Sequence, residues 1–180
     1  RHHPLWRPGQ SLPMKIVLLA ALTGALLLPS CQTTQQHLKP GMTRTAVAFS
    51  YSDMSTGNVD STNLTVEGAY GTFYQADQEV GFKVDYSDSE IGGTSTDQWV
   101  LAMYGRYYLA TQEALLPWFE LDLGWADATA GSGFAWGGGV GITQFVTEGG
   151  AIEASIDYQD ITGDADTSGF RALIGYAIFF

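Results

Sequence analysis

A chain of 180 residues with 13% aromatic and 15% charged side chains has room for one domain and is too apolar and too weakly charged to stay unfolded. Its net charge is −11, and all 19 acidic residues follow Cys31, whereas of the bases only Lys39, Arg44, Lys83, Arg106 and Arg171 do, leaving 5 − 19 = −14 from there onward. So acidic a segment repels phosphate backbones and excludes nucleic acid as a partner, and a single cysteine excludes an internal disulfide framework.

Met14-Lys15 precedes an apolar run from Ile16 to Leu28 and then Pro29-Ser30. A basic start and a short apolar core make residues 14–30 a predicted secretory signal peptide; the run falls short of the roughly 20 residues that span a bilayer as a helix. Met14 is then the expected start, and residues 1–13 are upstream sequence. Leu28-Pro29-Ser30-Cys31 resembles a bacterial lipoprotein box, which implies lipidation of Cys31; Pro29 departs from that pattern. Residues 31–42 are polar and aperiodic at their start (Gln-Thr-Thr-Gln-Gln) and are expected to form a tether.

From Thr43 the period becomes two. Val47, Phe49 and Tyr51 alternate with Arg44, Ala46 and Ser50. Leu64, Val66, Tyr70 and Tyr74 alternate with Glu67, Ala69 and Gly71. Val80, Phe82, Val84 and Tyr86 flank Lys83 and Asp85. Trp99, Leu101, Met103, Tyr107 and Leu109 flank Ala102, Tyr104, Arg106 and Tyr108. Phe119, Leu121, Leu123 and Trp125 flank Glu120 and Asp122. Trp136, Val140 and Ile142 flank Gly137, Gly139 and Gly141. Ile152, Ile156 and Tyr158 flank Glu153 and Asp157. Phe170, Ile174, Tyr176, Ile178 and Phe180 flank Arg171 and Ala177. Such alternation argues strands, eight of them, each about as long as the 9–11 residues of a membrane-crossing strand. Connections at 75–78, 111–115 and 147–150 read as tight turns. Those at 54–62, 88–96, 128–133 and 160–167 read as longer loops, an asymmetry expected of outer-membrane barrels.

Periodicity does not say which face looks inward. One face carries Arg44, Glu67, Lys83, Asp85, Arg106, Glu120, Asp122, Glu153, Asp157 and Arg171 near strand centres, and charges of both signs there can pair across a narrow lumen. A tight turn near residue 114 would set Arg106 opposite Asp122, and a loop centred on 163 or 164 would set Asp157 opposite Arg171. The other face carries Tyr51, Tyr70, Tyr74, Tyr86, Trp99, Tyr107, Trp125, Trp136, Tyr158 and Phe180 toward its ends, as an aromatic girdle would. The last strand alternates apolar residues up to Phe180. Segment 43–180 therefore resembles the small eight-stranded bacterial outer-membrane barrels of the OmpA, OmpX and opacity-protein kind. The resemblance implies an all-β, antiparallel up-and-down transmembrane barrel. It also implies partners in outer-membrane lipid, lipopolysaccharide and the barrel-assembly machinery, which would recognise the C-terminal strand.

Chemistry is sparse. Histidine occurs only at positions 2, 3 and 37, so no Ser–His, Cys–His or histidine–metal site is expected in the barrel. Asp164-Ala-Asp166-Thr-Ser168-Gly169 copies the start of a calcium loop, but its twelfth position is Gly175 rather than a bidentate Glu. No catalysis, cofactor or metal is expected. Three functions remain: a structural or surface-interaction barrel of the outer membrane with a lumen closed by ion pairs; a lipid-anchored, lipocalin-like soluble barrel with the apolar face lining a ligand cavity; or a small pore for hydrophobic molecules.

Overall fold

The computed structural model describes residues 38–56, 59–91, 93–164 and 167–180; the predicted signal peptide and Cys31 lie outside them. The strands are β1 (Thr43–Thr56), β2 (Val59–Gln75), β3 (Gln78–Ile91), β4 (Thr94–Tyr108), β5 (Leu115–Ala128), β6 (Gly131–Phe145), β7 (Gly150–Gly163) and β8 (Thr167–Phe179). Each pairs antiparallel with its sequence neighbours, and β8 returns to β1, closing an up-and-down barrel. Closure suits these sequences: alternating strands without prolines in their middles leave no edge to cover where the ladder is complete.

The lower rim carries the turns 76–77, 109–114 and 146–149, and at the upper rim β1 leads into β2, β3 into β4, β5 into β6 and β7 into β8. The upper turns correct the sequence reading. The described residues of the segments expected as longer loops are mostly strand, paired down to Thr56↔Val59, Ile91↔Thr94, Ala128↔Gly131 and Ile161↔Thr167. Their Ser, Thr and Asp residues have no apolar partner face, so the period-two signal vanishes although the backbone ladder continues. Side chains add to it: the Thr65 and Ser87 hydroxyls lie 3.0 Å apart across the β2–β3 rungs. Gly93 supplies the positive φ (85°) that the β3–β4 turn requires.

The β4–β5 register also differs from expectation. The turn 109–114 centres the hairpin so that Arg106 faces Glu120, and Asp122 faces Tyr104. Asp157 does lie opposite Arg171. At the lower rim, residues 38–42 join the barrel instead of continuing the tether: Leu38 is buried, and the Gly41 amide donates to the Phe73 carbonyl at 2.7 Å.

Candidate functional site: the barrel interior

Side-chain direction alternates along each strand, so one set of residues fills the interior and the other forms the outer wall. Outside stand Phe82 (55% exposed), Leu121 (67%) and Ile174 (54%); inside stand Arg44 (1%) and Arg106 (4%). A cavity lined by the apolar face, as the lipocalin-like alternative requires, is therefore not what the strands build.

The interior is layered from the lower rim upward. Its floor is apolar: Phe73, Leu116, Phe145 and Phe179 pack with Tyr108 above the strap residue Leu38. Ring centroids lie 5.4 Å apart for Phe73–Tyr108 and 4.9 Å for Phe145–Phe179.

Above the floor, Arg44 of β1 engages Glu153 of β7 through Nε (3.0 Å) and Nη2, and Glu79 of β3 through Nη1 (3.3 Å). Glu79 also accepts from the Tyr104 hydroxyl and, at 3.0 Å, from the Tyr108 hydroxyl. Arg106 of β4 donates from Nε to Glu120 at 2.9 Å and from Nη1 to Glu153 at 3.3 Å. Its guanidinium lies 3.6 Å from the Trp118 ring centroid, a stacking that suits a planar, weakly hydrated cation. Trp118 Nε1 donates to Thr143 at 3.0 Å, and Thr143 donates to Glu153 at 2.8 Å. Lys83 bridges Glu120 (2.9 Å) and Asp122 (2.8 Å).

Higher up, Arg171 of β8 holds Glu67 at 3.0 Å and Asp85 at 2.9 Å, with Asp157 at 3.9 Å. Gln159 donates to Asp85 at 3.4 Å. Beside this cluster Val100, Ala102, Ala126, Ala135 and Ile161 form a small apolar patch. Glycines make the space. A Cβ at Gly141 would sit 2.3 Å from Trp118, and one at Gly139 would sit 1.9 Å from an Asp157 oxygen.

All ten charged residues singled out from the sequence thus face inward, and each makes an ion pair within the barrel. Sequence reasoning missed Glu79, Trp118, Thr143 and Gln159. Parity could have found the first: Glu79 shares the phase of Lys83 and Asp85, one residue before the apolar series begins at Val80. Counting it, four cations (Arg44, Lys83, Arg106, Arg171) meet seven carboxylates (Glu67, Glu79, Asp85, Glu120, Asp122, Glu153, Asp157), a balance of 4 − 7 = −3.

On the outer wall Tyr51, Tyr74, Trp99, Trp125, Trp136 and Phe180 are exposed, and Tyr86, Tyr107 and Tyr158 are partly so. Tyr86 stacks near Trp99 (4.6 Å) and Tyr158 near Trp136 (5.8 Å), toward the upper rim; Tyr107 meets Phe119 (5.4 Å) toward the lower. Tyr70 stands further in, paired with Phe82 and Thr45 rather than at a rim. Beyond the upper aromatics the wall turns acidic, with Asp88, Glu90, Asp97, Asp127 and Asp160. Among the described residues no group of three or more His, Cys, Asp or Glu is arranged to hold a metal ion.

A closed cylinder of eight antiparallel strands, apolar outside and charged within, is the architecture of the small outer-membrane barrels. Several solved structures share the barrel fold with this chain, three of them as follows. The outer membrane protein OprG of Pseudomonas aeruginosa matches with a TM-score of 0.58 at 12% identity, over 81% of this chain and 98% of that one. Neisserial surface protein A matches at 0.57 and 18%, over 78% and 97%. The N-terminal β-barrel domain of Pseudomonas aeruginosa OprF matches at 0.54 and 17%, over 82% and 100%. At such identities the likeness is one of fold. No protein-family model and no curated protein matches the sequence.

Proposed function

We propose that this chain is exported by its signal peptide and forms a non-catalytic transmembrane barrel of the bacterial outer membrane, with a structural or surface-interaction role and a lumen held shut by ion pairs. The observation that carries this reading is the inverted wall. A water-soluble barrel exposing Phe82, Leu121 and Ile174 while burying Arg44 and Arg106 would set the hydrophobic effect against itself. A bilayer reverses the preference. The outward apolar band carried by β4 runs from Trp99 to Leu109, the first residue past the strand's end. Ten steps of about 3.3 Å, tilted about 40°, give about 25 Å, the usual height of such a band.

The floor of Phe73, Tyr108, Leu116, Phe145 and Phe179, with the Arg44 and Arg106 pairs above it, supports a role without conduction and disfavours the pore reading. The absence of histidine after residue 37 supports a role without catalysis. Lipid would contact the aromatic belt, and lipopolysaccharide the acidic wall above it. Leu38 sits at the lower rim, and Cys31 precedes it by seven residues. That length reaches about 24 Å extended, enough to bring an acylated cysteine to the adjacent leaflet.

The test is fractionation. The chain from residue 31 onward, with Cys31 intact or as Cys31→Ser, is expected to stay with the outer membrane after an alkaline carbonate wash. It is also expected to show no single-channel conductance in planar bilayers. Release of the serine form would mean that only the lipid anchors it; steady conductance would mean that the lumen is open.

A further inference from the structure

A cavity of about 100 Å³ opens on the outer wall, lined by Tyr51, Thr62, Leu64, Asp88, Glu90 and Ser95. Four neighbouring strands build it. One rung runs Tyr51↔Leu64↔Asp88 across β1, β2 and β3, and the next runs Thr62↔Glu90↔Ser95 across β2, β3 and β4. Parity turns all six outward, and the paired backbone fixes their spacing. Tyr51 stands on one side and Asp88, Glu90 and Ser95 on the other, with Thr62 and Leu64 between them. Tyr51 is 65% exposed and Leu64 44%, so ring and methyls are both open to an occupant.

Height, charge and lining narrow the occupant. The outward rung below carries Phe49, Val66, Tyr86 and Trp99, two residues or about 7 Å lower along the strands. Tyr86 and Trp99 belong to the aromatic belt, so the cavity lies at the level of lipid headgroups and an apolar wall descends from it. Every cation from residue 43 onward (Arg44, Lys83, Arg106, Arg171) is committed to the interior, so none of them answers Asp88 or Glu90. Asp88 accepts a hydrogen bond from the neutral Ser95 hydroxyl at 3.1 Å. It also faces Asp97 directly across the β3–β4 rung, a like-charge pair that costs stability until a cation offsets it. An anion is therefore repelled. A hard metal ion takes about six to eight oxygen ligands, whereas a leucine and a tyrosine ring line this space, and among the described residues no group of three or more acidic side chains is arranged to hold one. A peptide strand finds no free backbone, because the ladder is continuous from Tyr51↔Leu64 to Asp88↔Asp97. An alkylammonium group matches each surface: N–H donors for Asp88 and Glu90, methylenes for Leu64, and positive charge for the face of Tyr51. The volume, below the roughly 150 Å³ that holds a benzene ring, restricts the group to a small one.

We propose that the cavity between Tyr51, Leu64, Asp88 and Glu90 binds the small ammonium group of an amine-bearing membrane lipid. The headgroup nitrogen sits between the two carboxylates and the tyrosine ring, and the acyl chains follow the apolar wall down past Phe49 and Val66. The lipid is favoured over a free amine because the same strands that carry the carboxylates carry that wall directly beneath them. This rests on the barrel standing in a membrane; carbonate retention tests that separately and can hold while lipid binding fails.

The experiment uses the chain from residue 31 onward, folded in uncharged detergent micelles, and follows the amide resonances of Thr62, Leu64 and Ser95 by NMR. The probe is short-chain phosphatidylethanolamine. Its companions are a glucosyl diacylglycerol with the same chains, which is uncharged and lacks the ammonium, and free ethanolamine. Three variants are compared: Asp88→Asn/Glu90→Gln, Tyr51→Leu, and Asp127→Asn/Asp160→Asn, which removes carboxylates from the same wall outside the cavity. Heat-modifiable gel migration checks that each is folded. The expected result is saturable shifts with phosphatidylethanolamine. Affinity is expected to fall at least about tenfold for either companion and for Asp88→Asn/Glu90→Gln, and about threefold for Tyr51→Leu. Asp127→Asn/Asp160→Asn is expected to bind as the parent does. Absence of saturable shifts with phosphatidylethanolamine would overturn the proposal. So would equal binding of the glycolipid, which makes the contact one of acyl chains alone, or equal binding of free ethanolamine, which removes the lipid. An equal loss in Asp127→Asn/Asp160→Asn would overturn it too, by reducing the effect to the charge of the whole wall.

Discussion

Around Arg44 and Arg106 the interior is built of short, shared contacts: two guanidiniums, three carboxylates (Glu79, Glu120, Glu153), two tyrosine hydroxyls and Thr143, resting on a floor of aromatic rings. Around Lys83 and Arg171 the composition differs. Two cations face Glu67, Asp85, Asp122 and Asp157, Lys83 shares Glu120 with Arg106, and three buried polar atoms (Asp85 Oδ1, Asp122 Oδ1, Arg171 Nε) make no hydrogen bond. The same eight strands thus carry a closely satisfied lower half and an acid-rich upper half. A buried charge holds a fold together only when its partners are complete, so the lower half is expected to carry most of the barrel's mechanical integrity.

That contrast can be broken most directly at Arg106. Replacing it with alanine leaves Glu120 and Glu153 without their shared cation and uncovers the Trp118 ring. The expected cost is about 3–5 kcal/mol, read from urea unfolding in phospholipid vesicles. A loss below about 1 kcal/mol would mean that these carboxylates are hydrated and the lower half is no tighter than the upper. Arg171→Ala is expected to cost less, about 1–3 kcal/mol. Its side chain is 14% exposed, and Gln159 continues to donate to Asp85. A loss equal to that of Arg106→Ala would erase the distinction. Least of all, Ser95→Ala, which removes an exposed hydrogen bond to Asp88 (3.1 Å), is expected to stay within about 0.5 kcal/mol. A larger effect would show that the upper hairpins contribute to stability as well as display.

How much of this the sequence disclosed follows from which signals survive a change of register. Face assignment depends only on parity, and a slip of two residues preserves it. So Arg106, Glu120 and Asp122 could be set on one face while the cross-strand partner of Arg106 was misplaced, Glu120 being the residue that the turn 109–114 delivers. The strand ends beyond the membrane were hidden for a different reason. With water on both faces, nothing selects apolar residues at alternate positions, and the hairpins at 88–96 and 128–133 read as loops. Glu79 was lost at the junction of a turn and an apolar run, where its phase had too few neighbours to be noticed. Leu38 was lost because a lone leucine in a polar stretch carries no period, although the open floor beneath Phe73 and Phe179 gives it a place. The β1–β8 register, from Arg44↔Phe179 to Phe49↔Ile174, could not be read at all, since it depends on two strands at opposite ends of the chain.

The placement of Trp118 has a practical consequence. From Cys31 onward the chain holds four indoles: three (Trp99, Trp125, Trp136) look out into the surrounding solvent, whatever it is, and Trp118 is enclosed beneath a guanidinium. Ultraviolet emission therefore samples two compartments at once. Spectral shifts of the outer three report transfer between detergent and bilayer, while the fourth responds only when the inside of the cylinder comes apart, so insertion and unfolding can be followed in one cuvette without an added dye.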